Sequence, residues 1–294
     1  MVVSVAGLMM WACDDYEGEQ HVPAYISLDA ITVEDVATDS WSTEDGFFSS
    51  AIDAAQLLLY FDGDTAETVL GTFQLPCKVP VLRQGKPRRL TVVPVVIQNG
   101  ITGTRIYYPY YKTIDDTSVV LVPGQVSSLG TLTTNYQPRS QMQVLWKEFF
   151  EPGAQSISLD TVVSRIELQP DTVCSGLGCG VIRVNSSQKS LSFWYDTFVY
   201  VPNSGAYVYL ELDYWSDFNF SIGFNNPMTQ GGANQIYSAL VLKPNKHWDK
   251  IYVNLGRLWT EYNHYPLLRP YFTILNDEGR SGRLMLDNIK LVVM

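Results

Sequence analysis

AYVYLELDYW, residues 206–215, alternates without a break: Val208, Leu210, Leu212 and Tyr214 fall on one side of an extended chain, and Tyr207, Tyr209, Glu211, Asp213 and Trp215 on the other. A period of two over ten residues predicts a β-strand whose aliphatic side is buried. The second row is the informative one. Aromatic faces stack on the apolar faces of sugar rings and carboxylates accept hydroxyl hydrogen bonds, so this row has chemistry suited to a glycan. The same row could equally pack beneath a loop or against another part of the chain.

The rest of the chain follows the same period. Tyr, Phe and Trp number 18, 12 and 7, and no long helical heptads occur. Residues of this kind suit pleated, half-buried surfaces, so the expected fold class is all-β. Upstream, VPAYISLDAITV (22–33), AAQLLLYF (54–61), VLGTFQL (69–75), LTVVPVVI (90–97) and TRIYYPYY (104–111) are separated by DGD, RQGKPRR and NGITG turns. That spacing predicts an immunoglobulin-like or prealbumin-like β-sandwich over residues 22–135. Pro76, Pro80, Pro94 and Pro109 then belong at edges, bulges or strand ends.

In RSQMQVLWKEFFEPG, Met142, Leu145, Trp146, Phe149 and Phe150 fall at i, i+3, i+4, i+7 and i+8. This predicts a short amphipathic helix, capped by Ser140 and stopped by Pro152-Gly153, in a linker spanning 136–155. From 156 to 294 come VVSRIEL, GVIRV, LSFWYDTFVYV, AYVYLELDYW, FNFSIGF, KIYVNLG, RPYFTIL and RLMLDNIKLVV. These predict a second sandwich of about eight strands.

The N-terminus carries a different message. Residues 1–12 are uncharged and mostly apolar, long enough for a signal-peptide h-region and too short for a membrane span. Ala12-Cys13 resembles the lipobox of bacterial lipoproteins, in which a small residue precedes the cysteine that becomes lipidated. Met10 in place of the usual Leu and the missing Lys or Arg of an n-region depart from that pattern. Residues 13–21 then read as a lipidated Cys13 and a hydrated acidic tether. Asp14, Asp15, Glu17 and Glu19 resemble the signal that directs Bacteroidota lipoproteins to the outer face of the outer membrane. Val2, Val3 and Val5 would also suit a buried N-terminal strand.

Two family resemblances add to this. EGEQHVPAYI, NGITGTRIYYPYY, RSQMQVLWKEFFEPG, NLGRLWTEYNHYPLLRPYF and LDNIKLV are similar to stretches of uncharacterised surface lipoproteins of Bacteroidales, which implies location and fold but no activity. The second sandwich, ending in the apolar-Asp-Asn-apolar strand LDNIKLV, resembles the jelly roll of carbohydrate-binding modules. That resemblance implies a glycan as ligand and makes Asp287 a weak candidate for a structural calcium.

Several chemistries lack support. With 20 basic against 30 acidic residues, net charge −10, the surface repels phosphate backbones, and KPRR (86–89) reads as a solvated loop, so no nucleic acid is expected. Cys77 in QLPCKVP reads as a buried small thiol, and Cys174 and Cys179 in CSGLGCG are close enough for a disulfide or could both be reduced. Three histidines give no metal-thiolate pattern, so no metal is expected beyond Asp287. No nucleophile motif or phosphate loop occurs, so the chain is not expected to be an enzyme, with glycosidase-type chemistry by two carboxylates from distant segments as the remote alternative.

LWTEYNHYPLLRPYF reads as a long aromatic loop bearing Trp259, Tyr262, His264, Tyr265, Arg269 and Tyr271, residue types common at recognition surfaces. The expectation is therefore a surface-exposed, lipid-anchored outer-membrane protein without cofactor. It would bind protein partners as an accessory subunit of an outer-membrane complex, with a glycan-binding module as the alternative. Tyr207, Tyr209, Glu211, Asp213, Trp215 and the 259–269 cluster are the candidate ligand or partner surface.

Overall fold

The computed structural model describes residues 22–34, 49–138, 140–151, 155–160, 166–169, 178–202, 207–227, 233–263 and 265–294. Cys13, the acidic run that follows it, Cys174 and His264 lie outside these, and so does the pairing of Cys174 with Cys179. The described chain is almost wholly strand, arranged as two β-sandwiches.

In the first sandwich, β1 (Ala24–Leu28) and β2 (Ala30–Val33) are one extended segment interrupted at Asp29. They run parallel to β9 (Val126–Ser128) and β10 (Thr131–Thr134), and β5 (Cys77–Val81) closes the other flank of β1. The facing sheet has β3 (Ile52–Tyr60) between β4 (Thr68–Gln74) and β6 (Arg89–Ile97), with β7 (Arg105–Tyr107) and β8 (Ile114–Asp116) both on the far flank of β6. Ile26, Leu28, Leu57, Leu59, Val79, Leu90 and Val92 fill the space between the sheets. The prolines find the places that their missing N–H demands. Pro80 lies on edge strand β5, and Pro94 falls in the gap between β7, which pairs with Val95–Ile97, and β8, which pairs with Leu90–Val92.

The second sandwich is a jelly roll of two sheets. One runs β13 (Ile166–Gln169), β14 (Cys179–Val184), β22 (Gly282–Val293), β17 (Val208–Ser216) and β20 (Asn245–Asn254), with β11 (Gln143–Glu148) also on β22. The other runs β12 (Ile157–Leu159), β15 (Ser190–Tyr195), β21 (Leu267–Leu275), β18 (Asn219–Pro227) and β19 (Asn234–Leu242), with β16 (Val199–Tyr200) also on β21. Val208, Leu210 and Leu212 of β17 meet Phe193, Phe220, Ile222, Phe224 and Phe272 of the opposite sheet in one continuous core.

Two segments depart from the sequence reading. The helix expected over Met142–Phe150 is strand β11, antiparallel to β22 and part of the second sandwich. A bulge between Val144 and Trp146 shifts the alternation by one residue. Met142 therefore faces one apolar cluster, while Trp146 and Phe150 face another. A bulged strand buried on both sides produces the same i, i+3, i+4 spacing as an amphipathic helix. Conversely, the aromatic loop expected after β20 begins with a helix, α1 (Gly256–Tyr262). Its Trp259 is buried against Phe224 and donates its indole N–H to the Pro202 carbonyl at 3.1 Å.

The LDNI stretch of β22 contains a second bulge. Leu284 and Leu286 point inward, and so do Ile289, Leu291 and Val293, so one extra residue lies between the two series. Asn288 takes it up with φ 50°, a left-handed conformation that Asn tolerates better than most residues.

Candidate functional site

The outer face of the sheet containing β17 carries the row singled out in the sequence, and most of it is interior. Tyr209, Glu211 and Asp213 are buried, Trp215 is half-buried, and Tyr207 is exposed. The first sandwich covers them. Tyr108, Tyr110 and Tyr111, just beyond β7, and Tyr136, beyond β10, pack on Tyr209 and Tyr252. The TRIYYPYY segment is thus strand only to Tyr107. Its remaining tyrosines plug the seam between the sandwiches.

Charge is concentrated under this plug. Glu211 Oε1 accepts the hydroxyl of Tyr108 at 2.6 Å and Oε2 that of Tyr136 at 2.7 Å. Lys250 Nζ lies 3.4 Å from Glu211 Oε2 and 4.0 Å from Asp213 Oδ1. Asp213 Oδ2 accepts Ser49 Oγ–H and Asn288 Nδ2–H, each at 2.6 Å. Burial works against the Lys250 charge, but the carboxylates of Asp213 and Glu211 outweigh it and hold its pKa above the usual lysine value. Burial, reinforced by Lys250, lowers Lys290 to about 8. The tyrosines are raised mainly by burial, Tyr108 well above the ordinary phenol value and Tyr252 to about 12.

Among the described residues this cluster is a buried joint in which Lys250 lies beside the carboxylates of Glu211 and Asp213. Asp287 belongs to its margin, with its Oδ1 accepting the Asn288 backbone N–H at 2.8 Å. Positive charge is already supplied there by Lys250 and Lys290, so the donor set does not suit calcium. Among the described residues no group of three or more His, Cys, Asp or Glu is placed to hold a metal. Cys179 is buried in β14, and burial raises its thiol to about 11.

The surface that could take a ligand is the outer face of the other sheet, away from the first sandwich. Leu268, Phe272 and Ile274 of β21 point into the core, so Arg269, Tyr271 and Thr273 point out. Register sets Trp194 of β15 opposite Tyr271, and Ser192 opposite Thr273. On the other flank, β18 sets Asn225 opposite Arg269, Gly223 opposite Tyr271 and Ser221 opposite Thr273.

The Trp194 and Tyr271 rings are parallel, with planes 2° apart and centroids 5.6 Å apart, and both are half-buried. Ser192 Oγ and Thr273 Oγ1 are 3.2 Å apart, next along the strands. The Arg269 guanidinium lies 5.4 Å from the Trp194 ring centroid and 4.5 Å from that of Phe198. Gly223 leaves the face bare beside Tyr271 because β19 crowds it; a β-carbon there would lie 1.9 Å from the Tyr237 carbonyl oxygen.

Of the residues singled out in the aromatic loop, this face contains Arg269 and Tyr271. Tyr265 is half-buried just ahead of β21, and Tyr262 is stacked on Tyr237 with centroids 4.5 Å apart. Trp194 and Asn225 are additions that the sequence did not single out. The signal for Trp194 was available, since LSFWY alternates and puts it on the polar side of Leu191 and Phe193.

No protein-family model and no curated protein matches this chain in sequence. Solved structures similar to it include the CBM22-1 xylan-binding domain from Paenibacillus barcinonensis, at 11% identity and TM-score 0.40 over 52% of this chain and 96% of that one. Another is a family 11 carbohydrate-binding module from Clostridium thermocellum in complex with a mixed-linked tetrasaccharide, at 11% identity and TM-score 0.37 over 51% of this chain and 94% of that one.

Proposed function

We propose that the protein is a glycan-binding protein whose ligand lies on the outer face of the β12–β15–β21–β18–β19 sheet. The observation that carries this reading is the parallel, half-buried Trp194–Tyr271 pair, continued along the same face by Ser192, Thr273 and Ser221. Aromatic rings offer apolar area to the C–H face of a pyranose, and the neighbouring hydroxyls can exchange hydrogen bonds with those of the sugar. Tyr209, Glu211, Asp213 and Trp259, expected as part of a ligand or partner surface, are interior and contribute to neither reading.

The test is binding to a polysaccharide array by wild type, Trp194→Ala and Tyr271→Ala. The reading expects a wild-type signal that both variants lose while remaining folded; silence of the wild type across a broad array overturns it. We also propose that the protein is anchored at the outer membrane through Cys13, a reading supported by Ala12-Cys13 and the acidic residues that follow. Cys13→Ala should move it to the soluble fraction, and a variant that stays with the membrane removes the anchor.

A further inference from the structure

We propose that the glycan held on this face is a largely neutral polysaccharide bearing scattered carboxylates, as uronic acid side groups, and that Arg269 pairs with the carboxylate. This rests on the glycan reading above. Arg269 makes no ion pair and no hydrogen bond with any described residue, in contrast to Arg83, Arg89 and Arg105, which are each matched to a carboxylate. Its guanidinium is instead held against the rings of Trp194 and Phe198. Its Nε is buried without a hydrogen-bond partner.

Asn225, the register partner of Arg269, is only 4% exposed, and its Oδ1 also lacks a hydrogen-bond partner. A guanidinium stacked on rings keeps its planar fork of donors free, and a carboxylate matches that fork in two parallel hydrogen bonds. Tyr271 and Asp196 act on Arg269 electrostatically, and Asp196 Oδ1 also accepts the Ser158 Oγ–H. One cation among hydroxyls suits one carboxylate among neutral sugars, and the net charge of −10 disfavours a polyanion.

The experiment measures binding of the full-length protein to three probes: methylglucuronoxylan, the same polymer after carboxyl reduction, and polygalacturonate. Wild type should bind methylglucuronoxylan roughly tenfold more tightly than the reduced polymer, the loss expected when a charged hydrogen-bonded pair is removed. Arg269→Gln should bring binding of the native polymer down to that of the reduced polymer, and Arg269→Lys should keep part of the difference. Trp194→Ala should lose both. Equal binding of native and reduced polymer by wild type overturns the carboxylate assignment and leaves the glycan reading standing. Tightest binding to polygalacturonate overturns the requirement for a mostly neutral chain. Binding to none of the three overturns the proposal, and the broad polysaccharide array decides whether the glycan reading falls with it.

Discussion

The Tyr108 hydroxyl donates to Glu211 Oε1 at 2.6 Å, joining the first sandwich to the outer face of the second across 103 positions of sequence. Tyr136 takes the other carboxylate oxygen, and Lys250 sits beside it. The two sandwiches are therefore held by a buried ionic network as well as by aromatic packing. Removing one member of such a network leaves the others charged and unmatched. Glu211→Ala should cost about 3–5 kcal/mol, and Tyr108→Phe about 1.5–3 kcal/mol, both read from guanidinium denaturation. A Glu211→Ala loss below about 1 kcal/mol would show that water replaces the carboxylate at no cost. Wild type should unfold in one transition, because neither sandwich can leave the seam without exposing the cluster.

Lys290 gives the pH dependence a sign. Its pKa falls from the model-peptide 10.5 to about 8 in the folded state. Between those values the unfolded chain binds more protons than the folded one, so stability rises with pH from about 8 towards 10. Above that range the buried tyrosines reverse the trend, since their raised folded values make them lose stability as pH climbs through the unfolded phenol value of about 10. Lys290→Met should flatten the rise and stabilise the protein at pH 7. Melting temperatures at pH 7, 8, 9 and 10 for both proteins check this, and a parallel slope in the variant would assign the effect to another group.

At Gly223, β19 leaves no room for a side chain on β18, and a bulge in β19 lies alongside, between Ser238 and Leu240. A β-carbon there would overlap the Tyr237 backbone, which can give way only by opening the ladder. Gly223→Val should cost about 3 kcal/mol, measured by denaturation. Wild-type stability in that variant would mean that the β19 bulge yields freely.

Trp259 and Trp194 should separate cleanly. Trp259→Phe removes the indole hydrogen bond to Pro202 and part of a core side chain, a loss of about 1–3 kcal/mol, with glycan affinity unchanged. Trp194→Ala should do the reverse, abolishing binding with little change in melting temperature. Calorimetry and affinity electrophoresis on the two variants check the contrast, which fails if Trp259→Phe weakens binding more than Trp194→Ala.

Local alternation was enough to place strands that keep a single register. GVIRV and RPYFTIL correspond to β14 and β21, and Asn99-Gly100 forms the turn expected of it, with both φ angles positive. Where a bulge moves the parity, the pattern misleads, as at Leu145. Edge strand β19 was missed because a bulge between Ser238 and Leu240 separates its buried Tyr237 and Leu242, while its Ile236 and Val241 are exposed.

By itself the sequence determined the all-β class, the two-sandwich division, and the inward row of AYVYLELDYW. These follow from short-range periodicity, which each segment carries within its own residues. Only tertiary structure decided what faces the outward row. Val208 to Tyr214 would present the same Tyr209, Glu211 and Asp213 to solvent, sugar or protein, and the choice depends on tyrosines about a hundred positions upstream. The site face was hidden for the same reason. Trp194, Asn225 and Arg269 lie on three different strands, and only the register between those strands brings the two rings, the guanidinium and the amide together.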